Sequence, residues 1–300
     1  MAKLTILALL AGAILLGLFG GRPAEAHVAK TPRLFPVVIQ ATNGKITIRK
    51  RPTRIVSLSP TATEDLFAVG AGKQVIAVDD QSSYPARAPR TKLSGFTPNA
   101  EAIAGYRPDL VVLATDGGIV AQLRKLGITV AQFDAAKNLN ETYAQIRQIG
   151  RATGHPGPAA RTTASMRKWI AAALASVKSR KGLSVYHELT PDYYSANSDT
   201  FIGRVYTLLG LRNIADAAQD ANGGYPKLSA EYIVSANPGV IVLADSKCCG
   251  QNARAVRARP GWSGIAAVRN GRVASVDDDI ASRWGPRIAE FIRAVATAMR

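Results

Sequence analysis

The residues able to do chemistry in this 300-residue chain are few and mostly isolated. Its three histidines, His27, His155 and His187, stand far apart and without the local carboxylate or histidine spacing of a metal site, so His187 is expected in the core or against a cleft. No G-x-S-x-G, Walker A or H-E-x-x-H run occurs, which leaves hydrolase, NTPase and zincin chemistry without a sequence basis. Gly70-Ala71-Gly72 opens a dinucleotide fingerprint, yet Val75 takes the third glycine position and the glycines follow a helical segment, so they read as a helix stop. Cys248 and Cys249 are neighbours; a bridge between them closes almost no loop and cannot staple a fold. They read as a surface pair or, in an oxidising compartment, as a vicinal disulfide. Asp279 and Arg283 have the i, i+4 spacing of a helix pair, and Tyr193-Tyr194 suits either strand-end packing or a cleft wall. This inventory points to binding and not catalysis. A secreted α/β enzyme is the alternative of a different class, marked by a nucleophile beside a base, and a bare metal-ion binder would need histidines and carboxylates converging on one cleft.

Composition and the amino terminus narrow the partner. Apolar residues at 47% and charged ones at 20% suit a folded protein and exclude global disorder or a polytopic membrane protein. The 38 Lys and Arg against 21 Asp and Glu give +17, which by itself admits nucleic acid, acidic lipid or an anionic ligand. Lys3, the uncharged run Leu4–Gly21 and Ala24-Glu25-Ala26 have the anatomy of a cleaved secretory signal, assigned to residues 1–26; a retained anchor is the alternative. Export to the periplasm argues against nucleic acid as partner. No cysteine lies near the cleavage site to carry a lipid, so a soluble monomer is expected.

The elements that must position these residues alternate in type. After a leader at 27–36, Val37–Thr42 and Lys45–Arg49 flank Asn43-Gly44, a strong two-residue hairpin signal. From Arg54 short apolar strands (Ile55–Leu58, Val75–Val78, Leu110–Ala114, Ile128–Phe133) alternate with helical segments, among them Thr63–Val69, which Thr61-Ala62-Thr63-Glu64 would open as a capping box. A helix over about Leu139–Ala152 and the breaker 154–158 are followed by a long helix over Ala159–Lys181, where Trp169 is expected to pack between lobes. A second alternating block runs from Leu183–Leu189 to Val276, and Pro286–Met299 closes the chain as an amphipathic helix. The expected fold is α/β: two lobes with central, mostly parallel sheets flanked by helices, at 37–154 and 182–300, joined by one long backbone helix within 155–181.

An internal repeat supports two lobes. Asn99–Ala114 aligns without gaps on Ser229–Ala244 with seven of sixteen positions identical, including Glu101/Glu231 and Pro108/Pro238. Each copy offers an N-cap, a short helix, a proline that ends it and a buried strand. A cleft between duplicated lobes is a natural ligand site. Cys248 and Cys249 follow the strand of the second copy, at the sheet edge where α/β folds carry ligand loops.

Several segments in order, Arg51–Glu64, Glu101 to Val111, Tyr225–Glu231, Arg259-Pro260-Gly261-Trp262 and Gly285-Pro286-Arg287, resemble the substrate-binding proteins of ABC importers for cobalamin, ferric siderophores and haem. The likeness runs from about Val37 to Arg300. It implies two α/β lobes on a rigid backbone helix, a bulky metal chelate between them, no catalytic cofactor, and delivery to a permease dimer with its ATPase subunits. Asp279-Ile-Ala-Ser-Arg283-Trp-Gly-Pro286-Arg287 matches the D-x-x-x-R-x-x-P-R segment whose Asp and Arg reach the ligand in cobalamin binders. By the same resemblance Tyr84, before Pro85, and Tyr225, before Pro226, would supply aromatic walls, and Phe96 stands nearest to where such proteins have Trp. Tyr194 is added as a cleft-wall candidate. Cobalamin is the expected ligand, with ferric siderophore or haem as alternatives. Glu101 and Glu231, one per lobe, would meet permease arginines; a carboxylate that only favours a helix N-terminus is the simpler alternative.

Overall fold

The computed structural model describes residues 34–218 and 222–300. The expected signal segment, and the leader up to Arg33, lie outside the described residues. Val37–Ala41 (β1) and Gly44–Ile48 (β2) form the antiparallel hairpin closed by Asn43-Gly44, with Gly44 at φ 105°, a left-handed conformation open to glycine.

The first lobe continues through β3 (Ile55–Leu58), α1 (Pro60–Ala68), β4 (Val75–Val78), α2 (Ala100–Gly105), β5 (Leu110–Leu113), α3 (Ile119–Lys125), β6 (Val130–Gln132) and α4 (Leu139–Thr153). The long helix α5 (Pro156–Ser176) follows. The second lobe holds β7 (Ser184–Glu188), α6 (Phe201–Leu208), β8 (Arg212–Asn213), α7 (Ala230–Ala236), β9 (Val240–Leu243), α8 (Ser246–Cys249), α9 (Ala253–Arg257), α10 (Ala266–Arg269), β10 (Val273–Ser275), α11 (Asp278–Ser282) and α12 (Ile288–Ala298).

Both sheets are wholly parallel, with spatial orders β4-β3-β5-β6 and β8-β7-β9-β10. Numbered within each lobe, the order is 2-1-3-4 twice, and the sequence repeat falls on the third strand and its preceding helix in each. Strand residues alternate between two cores. Leu110 and Val112 of β5, and Val240 and Val242 of β9, join one large apolar cluster shared by both lobes through Met166 and Ile170 of α5 and Ile292 and Val295 of α12. Val111 and Leu113, and Ile241 and Leu243, face a separate cluster in their own lobe.

Three local expectations change. Ser59, not Thr61, caps α1: its Oγ accepts from the Ala62 N–H at 3.3 Å, and Pro60, lacking an N–H, fits the first helical position. Thr61, Thr63 and Glu64 are therefore inside the helix and buried. The backbone helix begins at Pro156 instead of Ala159 for the same reason and ends at Ser176, with a 3₁₀ turn over Lys178–Arg180. Its buried stripe is Ala159, Thr163, Met166, Ile170 and Ala173, which leaves Trp169 on the flank at 58% exposure and not between the lobes. His187 belongs to the core: it is fully buried against Tyr206 and Phe291, and burial pushes its pKa down to about 3.

Candidate functional site

In a parallel sheet of order 2-1-3-4, ligand loops gather at the carboxyl ends of the strands, where connections leave in opposite directions. In the second lobe those ends carry Glu188, the α8 segment after β9 and Asp277–Asp279 after β10; in the first they carry Ser59-Pro60, the 79–85 loop and Ala135–Lys137. A cavity of about 510 Å³ opens between the lobes, lined by Lys137 from one side and by Leu189, Phe201, Arg204, Tyr225 and Trp284 from the other.

The expected site residues divide. Tyr225 lines this cavity and is 39% exposed; burial raises its phenol pKa. Tyr84 is 45% exposed and carries the Arg287 guanidinium 4.1 Å over its ring, while Phe96 is 84% exposed on the loop before α2. Tyr194 is half-buried with Lys227 Nζ 5.5 Å above its ring, whereas Tyr193 stacks on buried Trp262. Neither Tyr84, Phe96 nor Tyr194 lines the cavity that Tyr225 does.

Asp279 and Arg283 do come together, at 2.7 Å, but not on an open surface. Arg283 is 8% exposed and also donates to Glu64 Oε1 at 2.9 Å and to the Gln81 carbonyl at 3.1 Å. Arg287 grips the same Glu64 through Nε at 2.9 Å and its terminal nitrogen at 2.6 Å. Glu64 sits on α1 of the first lobe and both arginines in the second, so one nearly buried carboxylate ties the lobes with two guanidinium groups. Asp279 accepts from Lys247 Nζ at 2.9 Å on its other oxygen. Partial burial works to raise the Asp279 pKa, but the Lys247 hydrogen bond and the charges of Arg283, Lys247 and Arg287 outweigh it and hold the carboxyl below its ordinary value.

A second charged cluster lies wholly within the second lobe. Arg259 donates to both oxygens of Glu188 at 2.6 Å, donates to Gln251 at 2.7 Å, and lies 4.5 Å over the Trp262 ring. Tyr186 donates to Glu188 at 3.0 Å. Asp245, fully buried just past β9, has no hydrogen-bond donor for either carboxylate oxygen among the described residues. Burial first, and then the charge of Glu188, push its pKa up to about 7.

From Asp245 the chain enters α8, where the sulfurs of Cys248 and Cys249 are joined. Asp278 accepts from the Lys247 N–H at 3.1 Å and the Cys248 N–H at 2.8 Å, so the cysteine pair is tethered beside Asp279. Glu101 and Glu231 are exposed in the first turns of α2 and α7, behind the N-caps Asn99 (2.8 Å to the Ala102 N–H) and Ser229 (3.1 Å to the Tyr232 N–H).

Sequence reasoning missed Glu64, taken as a capping residue, and gave no role to Arg287, Glu188, Arg259 or Asp245. A signal for Glu64 was available: a helix opened by Ser59-Pro60 puts residue 64 a full turn inside, where a carboxylate has no capping work and needs a cation.

Two duplicated α/β lobes on a backbone helix with a cavity between them define a binding protein of the periplasmic type. The chain belongs to the periplasmic binding protein family, whose sequence model matches residues 55–280. The ABC transporter substrate-binding lipoprotein YvrC of Bacillus subtilis is 34% identical over 306 residues, spanning 97% of this chain and 94% of YvrC. A cobalamin-binding protein of Halobacterium salinarum is 34% identical over 287 residues, 92% of this chain and 77% of that one. Among solved structures, the apo form of the periplasmic heme-binding protein RhuT from Roseiflexus sp. RS-1 matches with a TM-score of 0.69 at 26% identity, over 82% of this chain and 97% of RhuT.

Proposed function

We propose that this chain is the periplasmic substrate-binding component of an ABC importer and carries a corrinoid of the cobalamin type, held between its lobes, to a permease dimer driven by ATPase subunits. The observation that carries the reading is the interlobe cavity walled by Tyr225 and Trp284 in a chain that is 34% identical to a cobalamin-binding protein across 92% of its length. Aromatic faces suit the flat corrin, and its peripheral amides suit Asp and Arg. Arg283 commits three of its five N–H donors to Glu64, Gln81 and Asp279. A ferric siderophore or haem is the second reading, favoured by the likeness to RhuT and by the +17 charge.

Calorimetric titration with cobalamin, haem and a ferric siderophore tests it. Tight cobalamin binding is expected, weakened by roughly 1.5–3 kcal/mol in Arg283→Ala if a charge-assisted hydrogen bond to the ligand is lost. Haem or siderophore binding without cobalamin binding replaces the ligand and keeps the carrier role. Glu101 and Glu231 dock the two lobes onto the permease in this reading, so the double alanine variant is expected to lose uptake in cells while keeping ligand affinity in vitro.

A further inference from the structure

The cations near the interlobe face are nearly all committed. Arg283 and Arg287 hold Glu64, Lys247 holds Asp279, Arg259 holds Glu188, and Lys227 holds Asp192 at 3.0 Å. Lys137 and Arg204 differ. Both line the interlobe cavity, both are exposed, and neither side chain has a hydrogen-bond or ion-pair partner among the described residues. They come from opposite lobes: Lys137 from the connection between β6 and α4, Arg204 from α6. One carboxylate, Asp199, lines the same cavity, so the two cations leave it a net positive charge. Apart from Ser282, whose hydroxyl donates to the Asp278 carbonyl at 2.7 Å, the rest of its wall is apolar or aromatic, with Phe201 and Tyr225 on the second lobe and Trp284 tied across the lobes by its indole N–H to Gln145 at 3.1 Å.

From this arrangement we infer that the cavity binds an anionic arm of the chelate, and that Lys137 and Arg204 are specificity residues for it. The inference rests on the corrinoid reading. A cobalamin carries a single phosphodiester in the arm that links the corrin to its nucleotide base. A guanidinium offers that group two parallel donors and an ammonium offers a point charge. The charges stand on separate lobes, so an anion between them is held only when both lobes face it, which couples recognition of the arm to the interlobe geometry. Haem carboxylates present the same anionic chemistry from a different ligand.

The test compares cobalamin with cobinamide, the same corrin without phosphodiester and base, by calorimetric titration of the full protein. The variants are Lys137→Gln, Arg204→Gln, their double, and Tyr225→Ala, with haem as a further probe. For the wild type we expect cobalamin to bind at least about 10-fold more tightly than cobinamide, as for a charge-assisted contact. The double variant is expected to lose that preference while its cobinamide affinity changes less than about twofold, and added salt is expected to weaken cobalamin binding in the wild type more than in the double variant. Tyr225→Ala is expected to weaken both corrinoids alike, which reports on the cavity and not the charges. If the wild type binds both corrinoids equally, or the double variant weakens both equally, the anionic-arm inference is overturned while corrinoid binding stands. If haem alone binds and the double variant weakens it, the arm is a carboxylate and the corrinoid reading gives way while the role of the two cations is upheld. If none of the three probes binds, both readings fall together.

Discussion

Glu64 and Glu188 are both carboxylates buried against arginine, and the clusters around them are unbalanced in opposite senses. Glu64 faces two guanidinium groups, Arg283 and Arg287, across the lobe boundary, so positive charge is in excess until Asp279 is added. Glu188 takes the single Arg259, while a second carboxylate, Asp245, lies close enough to feel the Glu188 charge and has no donor of its own among the described residues, so the surplus is negative. The second cluster relieves its surplus with a proton: burial first, and then the Glu188 charge, push the Asp245 pKa up to about 7. The first resolves its surplus with partners, and those partners belong to different lobes. Charges that bridge two lobes gain water when the lobes part, whereas charges sealed inside one lobe have nowhere to go. The interlobe cluster is thus suited to come apart, and the intralobe cluster to stay.

The largest expected effect follows from removing the shared carboxylate. Glu64→Gln leaves Arg283 and Arg287 nearly buried with Asp279 as the one remaining acid in contact with Arg283, and should destabilise the fold by ~3–5 kcal/mol in urea unfolding. Glu188→Gln should cost less, ~1–3 kcal/mol, because Asp245 can ionise and take over Arg259. Carbon-13 titration of Asp245 checks the mechanism, since its pKa should fall toward the ordinary carboxylate value once the Glu188 charge is gone. Equal losses from the two variants, with Asp245 still titrating near 7, would break the comparison.

A pH scan sharpens it. The folded-state pKa of Asp245 is raised to about 7, so in the window between the unfolded value near 3.8 and about 7 the folded chain holds a proton that the unfolded chain has released. Stability from this group is fully present below about 4 and is lost as pH rises through about 7. Asp245→Asn cannot release that proton. Its urea midpoint should therefore decline less than the wild type's over this window, and at pH about 8 the variant should be the more stable of the two. Parallel pH profiles for the two proteins would sink the assignment of Asp245 as the proton carrier.

The two clusters also mark what a linear sequence can and cannot display. Asn43-Gly44 announced the hairpin, strand and helix periods announced the alternation, and the match of Asn99–Ala114 to Ser229–Ala244 fell on the third strand of each sheet. These are local signals, or one segment compared with another. The partners of Glu64 lie 219 and 223 residues away, and no spacing rule reaches that far. A carboxylate four residues into Thr61–Glu64 matched a local capping pattern, and the local pattern was wrong because Ser59-Pro60 starts the helix two residues sooner. Asp279 and Arg283 were legible as a helical pair, but whether such a pair faces water or another lobe depends on α1, which arrives from the opposite end of the chain.

The smallest effect is expected where the two clusters are linked. Residues 245–250 run from Asp245, beside Glu188, to Lys247, which holds Asp279 and through it Arg283, and the cysteine pair sits in this link. A bridge between adjacent residues restrains almost nothing in the unfolded chain, so it adds little stability by loop entropy. What holds α8 is Asp278, whose carboxylate takes the Lys247 and Cys248 N–H groups. We therefore expect Cys248→Ser with Cys249→Ser to shift stability by no more than about 0.5 kcal/mol, as for a surface change. Asp278→Ala, which strips a helix start of its acceptor, should cost ~1 kcal/mol. Thiol counting on the purified protein under native and reducing conditions establishes the oxidation state to which the comparison applies, and urea unfolding of both variants gives the order. A larger loss from the serine pair than from Asp278→Ala would mean that the bridge, and not the carboxylate, carries the connection between the clusters.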